Sequence, residues 1–204
     1  MQTVTEQTTA SYREKGSKFI GYLVPSETAT GFEEQLNAIV SRHPDATHHC
    51  YAYRIGPSDP VEFIQDDGEP RGTAGLPILN QLKSGDLINC ASVVVRYYGG
   101  TNLGRSGLIQ AYGKTAAGCI QKAELRALMP ILSIRLTYPY DRQNEIERLK
   151  SQFDLIEREA EYREDVTIHM GCPAGRAEDF LERLASMRHL DIEHENLGRD
   201  HLVR

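Results

Sequence analysis

Apolar and polar positions along the chain change period several times. Residues 17–24, Ser-Lys-Phe-Ile-Gly-Tyr-Leu-Val, favour extended backbone and stop at Pro25, which predicts a strand. Phe32, Leu36, Ile39 and Val40 recur at helical spacing over 29–42, and His43-Pro44-Asp45 breaks that helix. Residues 47–55 return to aromatic and β-favouring types and predict a strand, with 61–64 as a short partner. Asp66-Asp67-Gly68-Glu69-Pro70 reads as a loop, and Thr73 is placed to cap a helix reaching about Lys83. Residues 91–98 contain Val93-Val94-Val95, a buried strand. A Gly-rich loop over 99–107 feeds a long helix expected over 108–128, despite Gly113 and Gly118.

Pro130 marks the expected domain boundary. After it, strands are predicted at 131–138, 155–162, 165–169 and 190–195, with helices at 141–152 and 176–189. That is β-α-β-β-α-β, the ferredoxin-like order. The fold class expected is therefore α+β, with an N-terminal α/β domain over 1–130 and a ferredoxin-like domain over 131–204.

Composition narrows the class. Hydrophobic residues make up 40% and charged residues 25%, enough to build packed cores. No apolar run reaches the roughly 18–20 residues that span a bilayer, so no membrane partner is expected. Residues 1–10 are polar and Thr-rich without a signal-peptide pattern, and Cys50, Cys90, Cys119 and Cys172 are scattered, so reduced thiols and a cytoplasmic location are expected. Net charge is −6, which argues against a general nucleic-acid coat protein. The charge is uneven. Residues 131–204 hold 11 Lys/Arg against 16 Asp/Glu, and residues 1–130 hold 12 against 13, so a local basic patch fits only in the first part.

Candidate chemistry sits in three places. Asp66, Asp67 and Glu69 precede a Gly-rich turn and a helix start at Thr73. A solvated acidic turn capping the helix is the first account of the pattern; the free N–H groups of a helix start suit an anion or partner contact, and such carboxylates suit Mg²⁺ last. Arg96-Tyr97-Tyr98-Gly99-Gly100, continuing to Arg105, joins a buried strand to a helix through glycines. Arg96 and Arg105 supply charge and the tyrosines supply rings for stacking on bases; turn geometry and close packing explain the same residues structurally. His48-His49-Cys50 is the third place. On a strand only His48 and Cys50 share a side, and two ligands make no zinc site, so neither a metal nor a cofactor is expected. P-loop, dinucleotide and nucleophile-elbow signatures are absent, and no catalytic residue is assigned.

Four segments carry a resemblance: Lys18-Phe19-Ile20; His43-Pro44-Asp45-Ala46-Thr47-His48-His49-Cys50; residues 66–75; and residues 93–113, from Val93-Val94-Val95-Arg96-Tyr97-Tyr98-Gly99-Gly100 to Ala111-Tyr112-Gly113. Together they resemble the IMPACT/YigZ family. The resemblance implies an N-terminal domain like the second domain of a small-subunit ribosomal protein. It also implies a second domain similar to a late domain of elongation factor G. Eukaryotic relatives modulate an amino-acid-starvation kinase by competing for its activator and carry an extra N-terminal partner-binding domain, for which no room is expected before Ser17. The resulting expectation is a translation-linked binding or regulatory protein, its partner RNA or a ribosome-associated protein. His48, His49, Asp66, Asp67, Glu69, Thr73, Arg96, Tyr97, Tyr98, Gly99, Gly100 and Arg105 are the candidate contacts. The alternative is a Mg-dependent enzyme acting on a phosphorylated small molecule or nucleotide, with small-molecule phosphate as its partner.

Overall fold

In a strand, three consecutive valines bury fully only when both faces are covered, and this is how Val93, Val94 and Val95 are used. The structure is a computed structural model describing residues 1–203, the side chain of Arg188 excepted. It divides into two compact units, Met1–Ala127 and Leu128–Arg204.

In the first unit the elements are β1 (Gln2–Val4), β2 (Thr8–Glu14), β3 (Ser17–Pro25), α1 (Ala29–Arg42), β4 (His48–Ile55), β5 (Val61–Gln65), α2 (Gly75–Ser84), β6 (Cys90–Tyr97) and α3 (Gly104–Lys122). The sheet order is β2-β3-β6-β4-β5, with every neighbouring pair antiparallel. Ala91, Val93 and Val95 of the central strand pack with Phe32 and Ile39 of α1 on one face. Cys90 and Val94 pack on the other face with Ile78 and Leu82 of α2 and with Leu108, Tyr112 and Cys119 of α3. Close seating of α3 depends on Gly21, where a Cβ would lie 2.7 Å from Cys119 Sγ and 2.9 Å from Thr115 Cγ2. All four cysteines are free and buried.

Next come β7 (Leu125–Tyr138), α4 (Gln143–Phe153), β8 (Ile156–Tyr162), β9 (Val166–Pro173), α5 (Ala177–Ser186) and β10 (Glu193–Val203). The second unit has strand order β10-β7-β9-β8, again antiparallel. Ile134, Leu136 and Tyr138 pack with Ile146, Leu149, Phe153, Phe180 and Leu184 to form its core, so both helices cover one face. Arg135, Thr137, Thr167 and His169 alternate with those core positions and line the opposite face. The molecule is mixed α+β in both units.

Several elements depart from the sequence reading. The helix expected to 128 ends at Lys122, because Leu125, Arg126 and Ala127 pair with β1 instead. Leu125 and Leu128 keep a helical spacing from the residues before them, but strand pairing overrides that preference. Pro130 breaks nothing and lies inside β7. Its missing N–H is tolerated because the β9 ladder begins at Ile131, leaving β10 as the strand paired at Pro130. The polar stretch at 1–10 supplies β1 and the start of β2. The last strand is longer than expected, reaching Val203 rather than residue 195.

Candidate functional site

The 66–75 loop is held by its own acids. Asp66 accepts from the amides of Gly72 at 2.7 Å, Ala74 at 3.0 Å and Gly75 at 2.9 Å, so its carboxylate supplies the acceptors that the start of α2 lacks. Thr73, expected to cap that helix, is fully buried and donates its hydroxyl to the Pro70 carbonyl at 2.6 Å. Asp67 adopts a left-handed backbone (φ +42°) and accepts from the His49 amide at 2.6 Å. Its carbonyl accepts from His48 Nδ1 at 2.7 Å. These bonds pin the loop to the start of β4.

Glu69 and Arg96 then meet in the interior. Register sets this up, since Arg96 lies opposite His48 on β4 and opposite Phe19 on β3. Arg96 Nη1 donates to Glu69 Oε1 at 2.6 Å, and the two side chains are only 6% and 3% exposed. The Tyr112 hydroxyl donates to the same oxygen at 2.8 Å. Burial holds this hydroxyl far above the ordinary phenol range, reinforced by Cys50 and Glu69 beside it. Arg96 Nη2 donates to Ser17 Oγ at 3.3 Å, and its guanidinium carbon lies 5.5 Å from the Phe19 ring and 5.3 Å from the Tyr98 ring. Cys50 donates to the Asp66 carbonyl; burial pushes its thiol well above the ordinary range, so it is an unreactive packing residue.

The second loop closes over this pair. Gly99 lies so near the β2–β3 turn that a Cβ there would come within 1.9 Å of Gly16 carbon, and its amide donates to Ser17 Oγ. Gly100 turns the chain with φ +84°. Helix α3 starts at Gly104 with no side-chain cap and no acid in its first turn. Arg105 donates to the Arg71 carbonyl at 3.0 Å, so the two loops join at the rim as well as at the Glu69–Arg96 pair.

A cleft of about 530 Å³ opens where they meet, lined by His48, Glu69, Arg96, Tyr98, Arg105 and the start of α3. Thr47, Pro70, Asn102, Leu103 and Leu108 complete its wall, and none of them is among the candidate contacts drawn from the sequence. Nothing in the sequence marks Ser17 or Tyr112 as polar partners of the buried pair. Asp66, Asp67 and Thr73 serve the loop itself. His49 donates from Nε2 to the His43 carbonyl, and Tyr97 turns to the α1 face, where its hydroxyl lies 2.8 Å from His43 Nδ1. Only Tyr98 of the tyrosine pair is at the cleft, because strand neighbours face opposite sides. A larger hollow of about 590 Å³ along α4, beside Asn144, Glu147, Arg148, Ser151 and Gln152, gathers no comparable chemistry.

Among the described residues, no group of three or more His, Cys, Asp or Glu side chains is arranged to hold a metal ion. No described helix is long and apolar enough to cross a membrane.

Comparison with known proteins places this cleft in a family. The Impact N-terminal domain model matches residues 15–120, which hold every residue named at the cleft. The chain belongs to the IMPACT family. A second model, described as a domain of unknown function (DUF1949), matches residues 136–187. The IMPACT family member YigZ of Escherichia coli K12 is 34% identical over 173 residues, covering 84% of this chain and 85% of the relative. YvyE of Bacillus subtilis 168, also an IMPACT family member, is 40% identical over 152 residues, 74% of this chain and 69% of the relative. A crystal structure described as that of a hypothetical protein superposes with a TM-score of 0.66 at 29% identity, covering 97% of both chains. The two-unit architecture of this IMPACT-family chain therefore matches a solved structure along almost its whole length.

Proposed function

We propose that this IMPACT-family chain is a translation-linked binding protein that takes single-stranded RNA through the cleft of its first unit. The observation that carries this reading is the convergence, at one opening, of the uncapped α3 N-terminus, Arg105 and the Tyr98 ring. The first N–H groups of a helix favour an anion, and the 19 residues of α3 align their dipoles toward it. Arg105 adds a charge at the rim. Tyr98 is 45% exposed and braced from behind by Arg96, so its ring is held in place for a base to stack on. A net charge of −6 matches a grip on one or two phosphates, not on a long backbone.

The alternative, a Mg-dependent enzyme, needs Asp66, Asp67 and Glu69 free to share a cation. Each is instead engaged by protein donors: Asp66 by three amides, Asp67 by the His49 amide, Glu69 by Arg96 and Tyr112. The geometry favours binding over metal-assisted transfer.

Fluorescence anisotropy with labelled oligouridylate of about 10 nucleotides tests the reading. Binding is expected with a log–log salt slope of about −1. Arg105→Ala and Tyr98→Ala should each weaken it about five- to tenfold without lowering the melting temperature. Unchanged affinity in both variants, or no binding by the parent chain, contradicts it.

A further inference from the structure

The rim of the cleft offers hydrogen-bond donors, and its floor offers acceptors. Glu69 lines the cleft and is 8% exposed. Both of its side-chain donors, Arg96 and Tyr112, end on Oε1. Among the described residues Oε2 receives no hydrogen bond. The fully enclosed side-chain N and O atoms without a partner among the described residues are Ser92 Oγ, Arg96 Nε and Glu145 Oε2; Glu69 Oε2 is not one of them and so keeps some solvent access. Glu69 thus lines the cleft with its side chain nine-tenths buried and one carboxylate oxygen unpaired and not fully enclosed.

His48 supplies a second acceptor beside it. The Asp67 carbonyl can only accept, so His48 Nδ1 carries the proton of their 2.7 Å bond. In the neutral ring Nε2 is then an acceptor. It lies 3.8 Å from Glu69 Oε1, too far for a hydrogen bond with that oxygen. These acceptors suit a ligand group that donates; a hydroxyl carries one proton and gives it to one of them, the charged Glu69 oxygen being the stronger acceptor and His48 Nε2 its neighbour. A backbone phosphodiester has no proton to offer them and fits the rim instead; a sugar hydroxyl fits the floor.

Resting on the RNA reading above, we propose that Glu69 and His48 form a hydroxyl-binding subsite that selects ribose over deoxyribose through its 2′-hydroxyl. The 2′-hydroxyl is the group that separates the two sugars, and it both donates and accepts. A nucleotide with its phosphate at the α3 N-terminus and its base on Tyr98 would present its sugar between them, over the floor.

The test compares oligouridylate with oligodeoxyuridylate of equal length. Both oligomers carry uracil with the same N3–H, so the 2′-hydroxyl is the one donor that differs. The ribo-oligomer is expected to bind about tenfold or more tightly, the scale of one hydrogen bond to a charged group. Glu69→Gln keeps an acceptor for Arg96 and Tyr112 and should erase most of that preference. His48→Ala should reduce it. Equal affinity of the parent chain for both oligomers overturns the ribose subsite and leaves the RNA reading standing. Full discrimination retained by a folded Glu69→Gln variant also overturns it. Failure of either oligomer to bind the parent chain overturns both.

Discussion

The RNA proposed to bind here has two surfaces to choose between, and they are built in opposite ways. In the second unit a four-stranded antiparallel sheet leaves one face open, the kind of platform on which some RNA-binding modules stack bases with aromatic side chains. Here the register lays Glu195, Arg135, His169 and Glu159 in one row across the four strands, with Glu193, Thr137, Thr167 and Glu161 in the next. No Phe, Tyr or Trp ring occupies these two rows, His169 is the one aromatic side chain in them, and four glutamates repel phosphate. In the first unit both sheet faces are covered, and the polar groups withdraw to the ends of the strands. There Glu69 and Arg96 are buried against each other, and the charge left at the opening is Arg105. What distinguishes the first unit is polar chemistry enclosed at a cost and aimed at an opening.

That contrast makes its largest prediction about stability. Glu69→Ala leaves a guanidinium and a phenol hydroxyl buried without their acceptor, which should cost about 3–5 kcal/mol. Glu195 makes an exposed pair with Arg135, the two side chains 59% and 41% exposed, and Glu195→Ala should cost less than about 1 kcal/mol. Urea unfolding followed by circular dichroism measures both. Comparable losses for the two variants would break the contrast.

A smaller effect is expected where an acid serves the loop and not the cleft. Asp66→Ala removes the acceptor of three amides at the start of α2 and should cost about 1–2 kcal/mol, with oligouridylate affinity nearly unchanged once the protein is folded. A large loss of affinity in a folded Asp66→Ala protein would place Asp66 in the binding machinery after all.

The smallest effect is a dependence on pH from the α1 face. Burial, then the charges of His49, Lys18 and Arg42, holds His43 below the ordinary histidine value of 6.5. Its ring lies between the Tyr22 hydroxyl at 2.6 Å and the Tyr97 hydroxyl at 2.8 Å. The folded chain therefore binds this proton less readily than the unfolded chain. The contribution to stability is fully present above about 6.5 and is lost as pH falls toward the depressed folded value. Parent stability should drop more than that of His43→Gln across this range. An equal or smaller drop would show that His43 is not a source of the dependence.

The periodic elements of the fold were legible because one face of each is buried: the 29–42 helix and the strands around Val93–Val95 follow directly from their apolar spacing. Elements fixed by pairing were not. Nothing in Thr8–Glu14 marks an edge strand, and Pro130 looks like a break until the β9 ladder is seen to begin one residue later. At the site, glycines and charges drew attention to the two loops, but their division of labour depends on three-dimensional partners. Asp66 and Glu69 are both acidic loop residues; one caps a helix and the other faces a cleft because Arg96 lies across the sheet from the loop. Tyr97 and Tyr98 separate by strand parity, a reading the alternation of 91–98 already allowed.

Photo-crosslinking tests the central contrast most directly. An oligouridylate carrying 4-thiouridine would be bound, irradiated and digested, and the modified peptides mapped by mass spectrometry. Crosslinks are expected at Tyr98 and within residues 99–108, beside the start of α3. Crosslinks concentrated on Glu159–Tyr162 of β8 or around His169 of β9 would contradict the account and assign binding to the open sheet of the second unit.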